Sequence, residues 1–217
     1  MRNKTDQSVN LKPFAAKVLK RLKKRWPNVE CSLSFESPLQ LLVATILSAQ
    51  CTDVRVNQVT GPLFKKYRTA ADFANADLHE LETAIQSTGF YHNKAKNIKE
   101  SCRIIVQDYA GIIPEKLTAL TDLPGVGRKT ANVVLANAFG IVCGVVVDTH
   151  VSRLAGRIGL SDEKTPEKIE QNLMALYPKK SWTELSHILI QLGRSFCQAK
   201  KPDCERCPLV DLCPRIL

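Results

Sequence analysis

Cys197, Cys204, Cys207 and Cys213 read C-x6-C-x2-C-x5-C over the last twenty-one residues. Four thiolates spaced this tightly can converge on one metal centre. Pro202, Pro208 and Pro214 stiffen the loop between them and suit a compact ligand knot rather than a helix. Met1 to Asn10 is polar and has no apolar segment of the secretory kind, so the chain is expected to stay in a reducing compartment. There, clustered cysteines serve metals rather than disulfides. Zinc and iron–sulfur clusters both accept four Cys ligands, and the spacing leaves that choice open. A disulfide cap is the structural alternative. Cys31, Cys51, Cys102 and Cys143 have no partner at ligand spacing and read as ordinary thiols.

A second constellation is LTALTDLPGVGRKTANVVL, from Leu117 to Leu135. Apolar positions flank Leu123-Pro124-Gly125-Val126-Gly127, which has the form of a helix-hairpin-helix. Gly125 and Gly127 let the backbone turn tightly and approach a partner. The hairpin amides and the free N–H groups of the following helix then form an anion site, which a DNA phosphate fits without base contact. A tight turn with no ligand is the alternative. Arg128 and Lys129 oppose the dipole of the helix they begin, and their placement there favours the anion-site reading. A helix N-terminus and a neighbouring guanidinium both disfavour an ammonium, and a neutral amine can attack an electrophilic sugar carbon to form a Schiff base. Lys129 therefore has two readings, nucleophile or phosphate contact.

Asp148, in Val147-Asp148-Thr149-His150, follows an apolar run. A carboxylate there can act as a base or stabilise a developing cation, and it can also cap the next helix. His150 reads as structural.

The elements that must carry these residues are helical. Phe14, Val18, Leu22 and Trp26 recur every four residues, and Pro27 ends that helix. Ser37-Pro38 and Thr165-Pro166 are cap-and-proline starts. Leu39 to Leu47 is apolar on all sides, as in a buried central helix. Asp77 with Glu80 resembles a capping box. Asn93 is expected to cap a helix running to about Tyr109, and a last long helix from about Trp182 to Phe196 delivers Cys197. Ile141 to Val147 is strand-like, but a single such run cannot make a sheet, so it is expected to be a connector. The fold class is all-α, with roughly ten short helices.

The 217 residues are 44% hydrophobic, enough for a sizeable core, and hold no apolar run of membrane-spanning length. The net charge of +10 favours a polyanionic partner. Between Leu11 and Val29 there are seven Lys and Arg and no acid. An anionic membrane surface is an alternative to nucleic acid, but that helix lacks a strong apolar face with aromatic anchors.

LPGVGRKTANVV, VDTH at Asp148 and the terminal cysteine pattern together resemble the endonuclease III family, bifunctional DNA glycosylases and AP lyases of the helix-hairpin-helix superfamily. LLVATILSAQCTDV and TGFYHNKAKNI extend the resemblance, which runs from about Pro38 to Cys213. It implies two all-α domains flanking a DNA-binding cleft. Residues 30–142 would form a six-helix barrel with the hairpin at about 117–137. Residues 1–29 and 143–217 would form a cluster domain, with a [4Fe-4S] cluster on Cys197, Cys204, Cys207 and Cys213. Lys129 matches the family nucleophile and Asp148 the family aspartate. Gln50 matches the residue that fills the vacated place in the base stack. Phe90 falls where many members carry a leucine wedge, and an aromatic can wedge too. Gly125, Val126, Gly127 and Arg128 would hold the DNA backbone at the hairpin, and Lys200 and Lys201 would hold it at the cluster loop. The connector from Lys129 to Asp148 is one residue longer than in one family member, and Leu192 stands where some members have His.

The resemblance implies removal of oxidised pyrimidines from duplex DNA, followed by β-elimination at the abasic site. It further implies a monomer in a bacterial-type cytoplasm, bound to DNA and to no membrane. An adenine-mismatch glycosylase is the nearest rival; such enzymes generally lack the lysine and carry Glu about where Ile46 stands. A non-catalytic DNA-binding protein with a zinc knot is the rival from another class.

Overall fold

The computed structural model describes residues 4–216, with side chains from Leu11 onward. All regular structure among these residues is helical. There are eleven α-helices and two short 3-10 turns. The chain divides into two compact units, one of residues 31–143 and the other of residues 1–30 with 144–217.

In the 31–143 unit, α2 (Pro38–Leu47) starts as its sequence dictates. Ser37 caps it by accepting from the Gln40 amide, and Pro38 opens the first turn. Every residue from Leu41 to Leu47 is buried, because α2 packs against α3 (Asp53–Lys66), α6 (Tyr91–Tyr109) and α8 (Arg128–Ala138). The short helices α4 (Ala70–Asn75) and α5 (Leu78–Ile85) both lie on α6. Lys99 of α6 holds the end of α4 by donating to the carbonyls of Ala74 and Ala76 at 2.9 and 2.5 Å. Helix α7 (Leu117–Thr121) completes the unit.

Two of the expected caps need correction. Asp77 does accept from the Glu80 amide, but the Glu80 carboxylate turns away to Lys66, and the true capping box is Thr69 with Asp72. Asn93 lies inside α6, whose N-cap is Phe90 with no capping side chain.

In the other unit, α1 (Lys4–Arg25) packs on α10 (Pro166–Leu176) and α11 (Trp182–Ser195), and α9 (Thr149–Ile158) packs on both of those helices. Pro13 lies inside α1, within three turns of its start. Helices α9 and α11 approach closely at Gly193. A Cβ there would lie 2.7 Å from Nδ1 of His150 and 3.1 Å from a guanidinium nitrogen of Arg153. His150 thus has the structural place its sequence suggested. Residues 141–147 are an irregular connector, and Val145, Val146 and Val147 are buried in it. Its Val146 amide donates to Ser186 Oγ of α11 at 2.9 Å.

Candidate active site and cluster loop

The hairpin joins α7 to α8. Leu123 and Val126 are buried and anchor it, and the Val126 amide donates to the Leu123 carbonyl at 3.1 Å. Ser101 of α6 ties the turn down by donating to the Pro124 carbonyl at 2.8 Å. Gly125 has φ of 74°, and a Cβ there would lie 2.6 Å from Nδ2 and 2.9 Å from Cβ of Asn97. Only glycine satisfies both conditions. Gly127 differs. Its φ of −83° suits any residue, and nothing lies within 4 Å of where its Cβ would be. That space lies in front of the N-terminus of α8, where Gly127 is the N-cap and no side chain caps the helix. The first amides of α8 therefore present partial positive charge at an open surface.

Arg128 and Lys129 are the first two residues of α8, and both are exposed. Val126 shapes the hairpin, with its side chain in the core and its N–H donating to the Leu123 carbonyl.

Gln50 and Phe90 are both exposed, Phe90 to 63%, and both have left-handed backbone, with φ of 54° and 50°. Gln50 lies in the turn after α2, and Phe90 lies between the 3-10 turn Gln86–Thr88 and α6. The buried Lys94 side chain touches both segments, donating to the carbonyls of Leu47 and Thr88, each at 2.8 Å. Sequence reasoning missed Lys94. The usable signal was its position: Lys94, Ala95, Ile98, Ser101, Cys102 and Ile105 form the buried face of α6.

In the second unit, Asp148 is the N-cap of α9. Its Oδ1 accepts from the Val151 amide at 2.8 Å. The side chain is half-buried behind the apolar run Val145–Val147. Lys129 and Asp148 belong to different units, and each is positioned by its own helix N-terminus.

Cys197, Cys204, Cys207 and Cys213 are half-buried and none is in a disulfide. They line one cavity together with Leu192, Phe196 and Leu209. Burial pushes the thiols of Cys207 and Cys213 up, and the neighbouring cysteines push the same way. A cationic centre would reverse both effects and hold all four as thiolates. Four half-buried thiols that line one cavity, with no disulfide among them, are a donor set that an iron–sulfur cluster fits.

Two arginines of α9 hold the cluster loop. Arg157 donates to the carbonyls of Gln198 and Ala199, both at 2.8 Å, and lies 3.5 Å from Cys197 Sγ. Arg153 donates to the Cys197 carbonyl at 2.9 Å. Arg21 of α1 pairs with Asp211 at 2.9 Å and holds its carboxyl below the usual carboxylate range. Lys200 and Lys201 project from this loop, exposed.

Comparison with known proteins agrees with this geometry. Residues 43–179 match the HhH-GPD superfamily base excision DNA repair protein family, and residues 197–213 match the iron-sulfur binding domain of endonuclease III. The chain is 53% identical to endonuclease III of Synechocystis over 94% of its own length and 93% of that protein's. It is 41% identical to endonuclease III of Escherichia coli K12, over 90% of this chain and 92% of that one. The structure of a non-covalent endonuclease III–DNA complex superposes with a TM-score of 0.90 at 43% identity, covering 94% of this chain and 95% of that one. A trapped endonuclease III–DNA covalent intermediate superposes equally, with a TM-score of 0.90 at 43% identity over 94% of this chain and 96% of that one. With its hairpin, its cluster loop and nearly its whole length accounted for, the chain belongs to the endonuclease III family of base excision DNA repair proteins.

Proposed function

We propose that this chain removes oxidised pyrimidines from duplex DNA, with Lys129 as nucleophile and Asp148 as its charge partner. The chain is a base excision repair enzyme, a DNA N-glycosylase and abasic-site lyase, and DNA is its partner. It carries a [4Fe-4S] cluster. We assign the ligands as Cys197, Cys204, Cys207 and Cys213; when bound, the cluster cross-links the C-terminal loop and sets the shape from which Lys200 and Lys201 project.

One observation carries the assignment of the nucleophile. Lys129 is an exposed lysine in the first turn of a helix that no side chain caps, directly behind a glycine hairpin. The hairpin amides and Arg128 hold the phosphate backbone. A damaged pyrimidine leaves the stack to expose C1′, with Gln50 filling the gap and Phe90 wedging the opposite side. Lys129 Nζ attacks C1′, the N-glycosidic bond breaks, and the base leaves with the bonding pair. Asp148 accepts the proton that the lysine loses and offsets positive charge on the sugar. The sugar ring opens to an imine between C1′ and Nζ. Loss of a C2′ proton then expels the 3′ phosphate and nicks the strand.

The adenine-mismatch reading lacks its carboxylate, because Ile46 is a buried core residue of α2. We also propose that the enzyme acts as a monomer and works on DNA in the cytoplasm. No helix among the described residues is long and apolar enough to cross a membrane.

Borohydride trapping on a thymine-glycol duplex tests the chemistry. The parent protein should form a covalent adduct. Lys129→Gln should form none and should not nick, while still binding an abasic-site analogue. Asp148→Asn should slow base release by several orders of magnitude with that binding kept. Near-normal base release by Lys129→Gln would make water the nucleophile and overturn the Schiff-base route.

A further inference from the structure

Lys94 occupies a position where the helical period calls for an apolar side chain. It lies on the buried face of α6 and is only 5% exposed. A methionine would fill that place without desolvating a charge. The ammonium is compensated by its two acceptors, the carbonyls of Leu47 and Thr88. Leu47 is the last residue of α2, and Thr88 is the last residue of the 3-10 turn before α6. Terminal carbonyls of this kind lack intrahelical donors and favour a cation. Burial lowers the Lys94 pKa from its ordinary value, and the neighbouring Cys51 works in the opposite direction.

The two segments joined in this way carry Gln50 and Phe90. Leu47 precedes Gln50 by three residues, and Thr88 precedes Phe90 by two. Each of the two exposed residues has positive φ without being glycine. Such conformations persist only where the surroundings over-determine them. Lys99 clamps carbonyls in the same manner at the end of α4, but no candidate site residue lies there.

We propose that Lys94 is a positioning residue for opening the duplex: its ammonium ties the turn after α2 to the turn before α6, so that Gln50 and Phe90 enter DNA as one pair at fixed spacing. This rests on reading Gln50 and Phe90 as the residues that insert into the base stack.

The test uses the full-length protein with its cluster. The substrate is a duplex with a non-cleavable abasic analogue and a fluorescent adenine analogue opposite it, whose emission rises on unstacking. Single-turnover base release is measured on thymine-glycol duplex. The combined Gln50→Ala and Phe90→Ala variant should lose most of the fluorescence rise. Lys94→Met should lose it by a similar factor, about fivefold or more, while affinity for undamaged duplex changes by less than about threefold. Added to the Gln50→Ala, Phe90→Ala background, Lys94→Met should slow base release no further.

A normal fluorescence rise in the Gln50→Ala, Phe90→Ala variant would overturn the reading of that pair, and this inference with it. If that variant loses the rise but Lys94→Met keeps it, this inference alone is overturned. The same holds if the Lys94→Met effect multiplies undiminished in the combined background, since a purely structural lysine would behave so. Should Lys94→Met fail to fold, Lys94→Gln replaces it. Glutamine is one atom shorter and cannot span both carbonyls, so a folded Lys94→Gln protein that opens the duplex normally would also overturn the proposal.

Discussion

Replacing Gly125 by alanine separates what shapes the hairpin from what meets DNA. Two terms oppose the new methyl group. The backbone has φ of 74°, a left-handed conformation that disfavours a residue with a Cβ by about 1–2 kcal/mol. The methyl would also lie 2.6 Å from Nδ2, 2.9 Å from Cβ and 3.0 Å from Cγ of Asn97. Asn97 belongs to the packed helix α6, so relief requires a shifted side chain or a displaced hairpin, at roughly 1–3 kcal/mol. The sum is about 2–5 kcal/mol, or roughly 5–20 °C in melting midpoint. Thermal unfolding followed by far-ultraviolet circular dichroism measures it. Asn97→Ala removes two of the three crowding atoms, so the loss in the Asn97→Ala background should shrink by about 1 kcal/mol. A Gly125→Ala protein that melts like the parent would refute the argument. Equal losses in both backgrounds would refute the clash and leave only the backbone term.

Gly127→Ala should behave differently, since its backbone is ordinary and the space around it open. Stability should change by no more than about 1 kcal/mol, while affinity for abasic-site duplex falls, as read by a filter-binding titration. Charge reversal at Lys200 or Lys201 should weaken binding to all duplexes alike and reduce the salt slope by about one for each lost phosphate contact; altered lesion preference at unchanged affinity would mean that the loop reads bases. The parent protein should be yellow-brown, and Arg157→Leu, which frees the carbonyls of Gln198 and Ala199, should lose its visible absorption faster in mild denaturant. His187 has its pKa lowered from 6.5 by burial, with Arg194 adding to the effect. Because the unfolded chain takes up the proton first, stability should be fullest above about pH 6.5 and fall as pH drops towards the folded-state value. His187→Gln should flatten that part of the melting profile.

Much of the site was legible because its logic is local. Cysteines in a short loop, two glycines between apolar anchors and a lysine in the first turn of a helix are contiguous in sequence. The all-helical class followed from 3.6-residue periodicity, the α2 start from the Ser37-Pro38 pair, and the connector before Asp148 from a lone strand-like run with no partner to form a sheet. The helix caps were less secure, because Asp-x-x-Glu and Thr-x-x-Asp both permit a box, and the choice lay with a distant competitor. Lys66 claims the Glu80 carboxylate, while Asp72 has no such rival and turns back onto Thr69.

What only the tertiary structure decided were relations between segments far apart in the chain. Asn97 stands against Gly125, so that glycine is required twice over, once by its own φ and once by a neighbour on α6. Gly193 is required because α9 crosses there, although its sequence neighbourhood is an ordinary helix. Arg157 reaches across forty-one residues to Gln198, and Lys94 reaches forty-seven back to Leu47. That residues 1–29 belong with residues 143–217 was already implied by the family resemblance; the structure adds that the apolar stripe of α1 finds its partners on α10 and α11. Periodicity reveals that such a stripe must be covered. It carries no information about which element covers it, because hydrophobic burial is non-directional and any complementary face would serve. Hydrogen bonds to terminal carbonyls are directional, but their geometry exists only after the helices have packed.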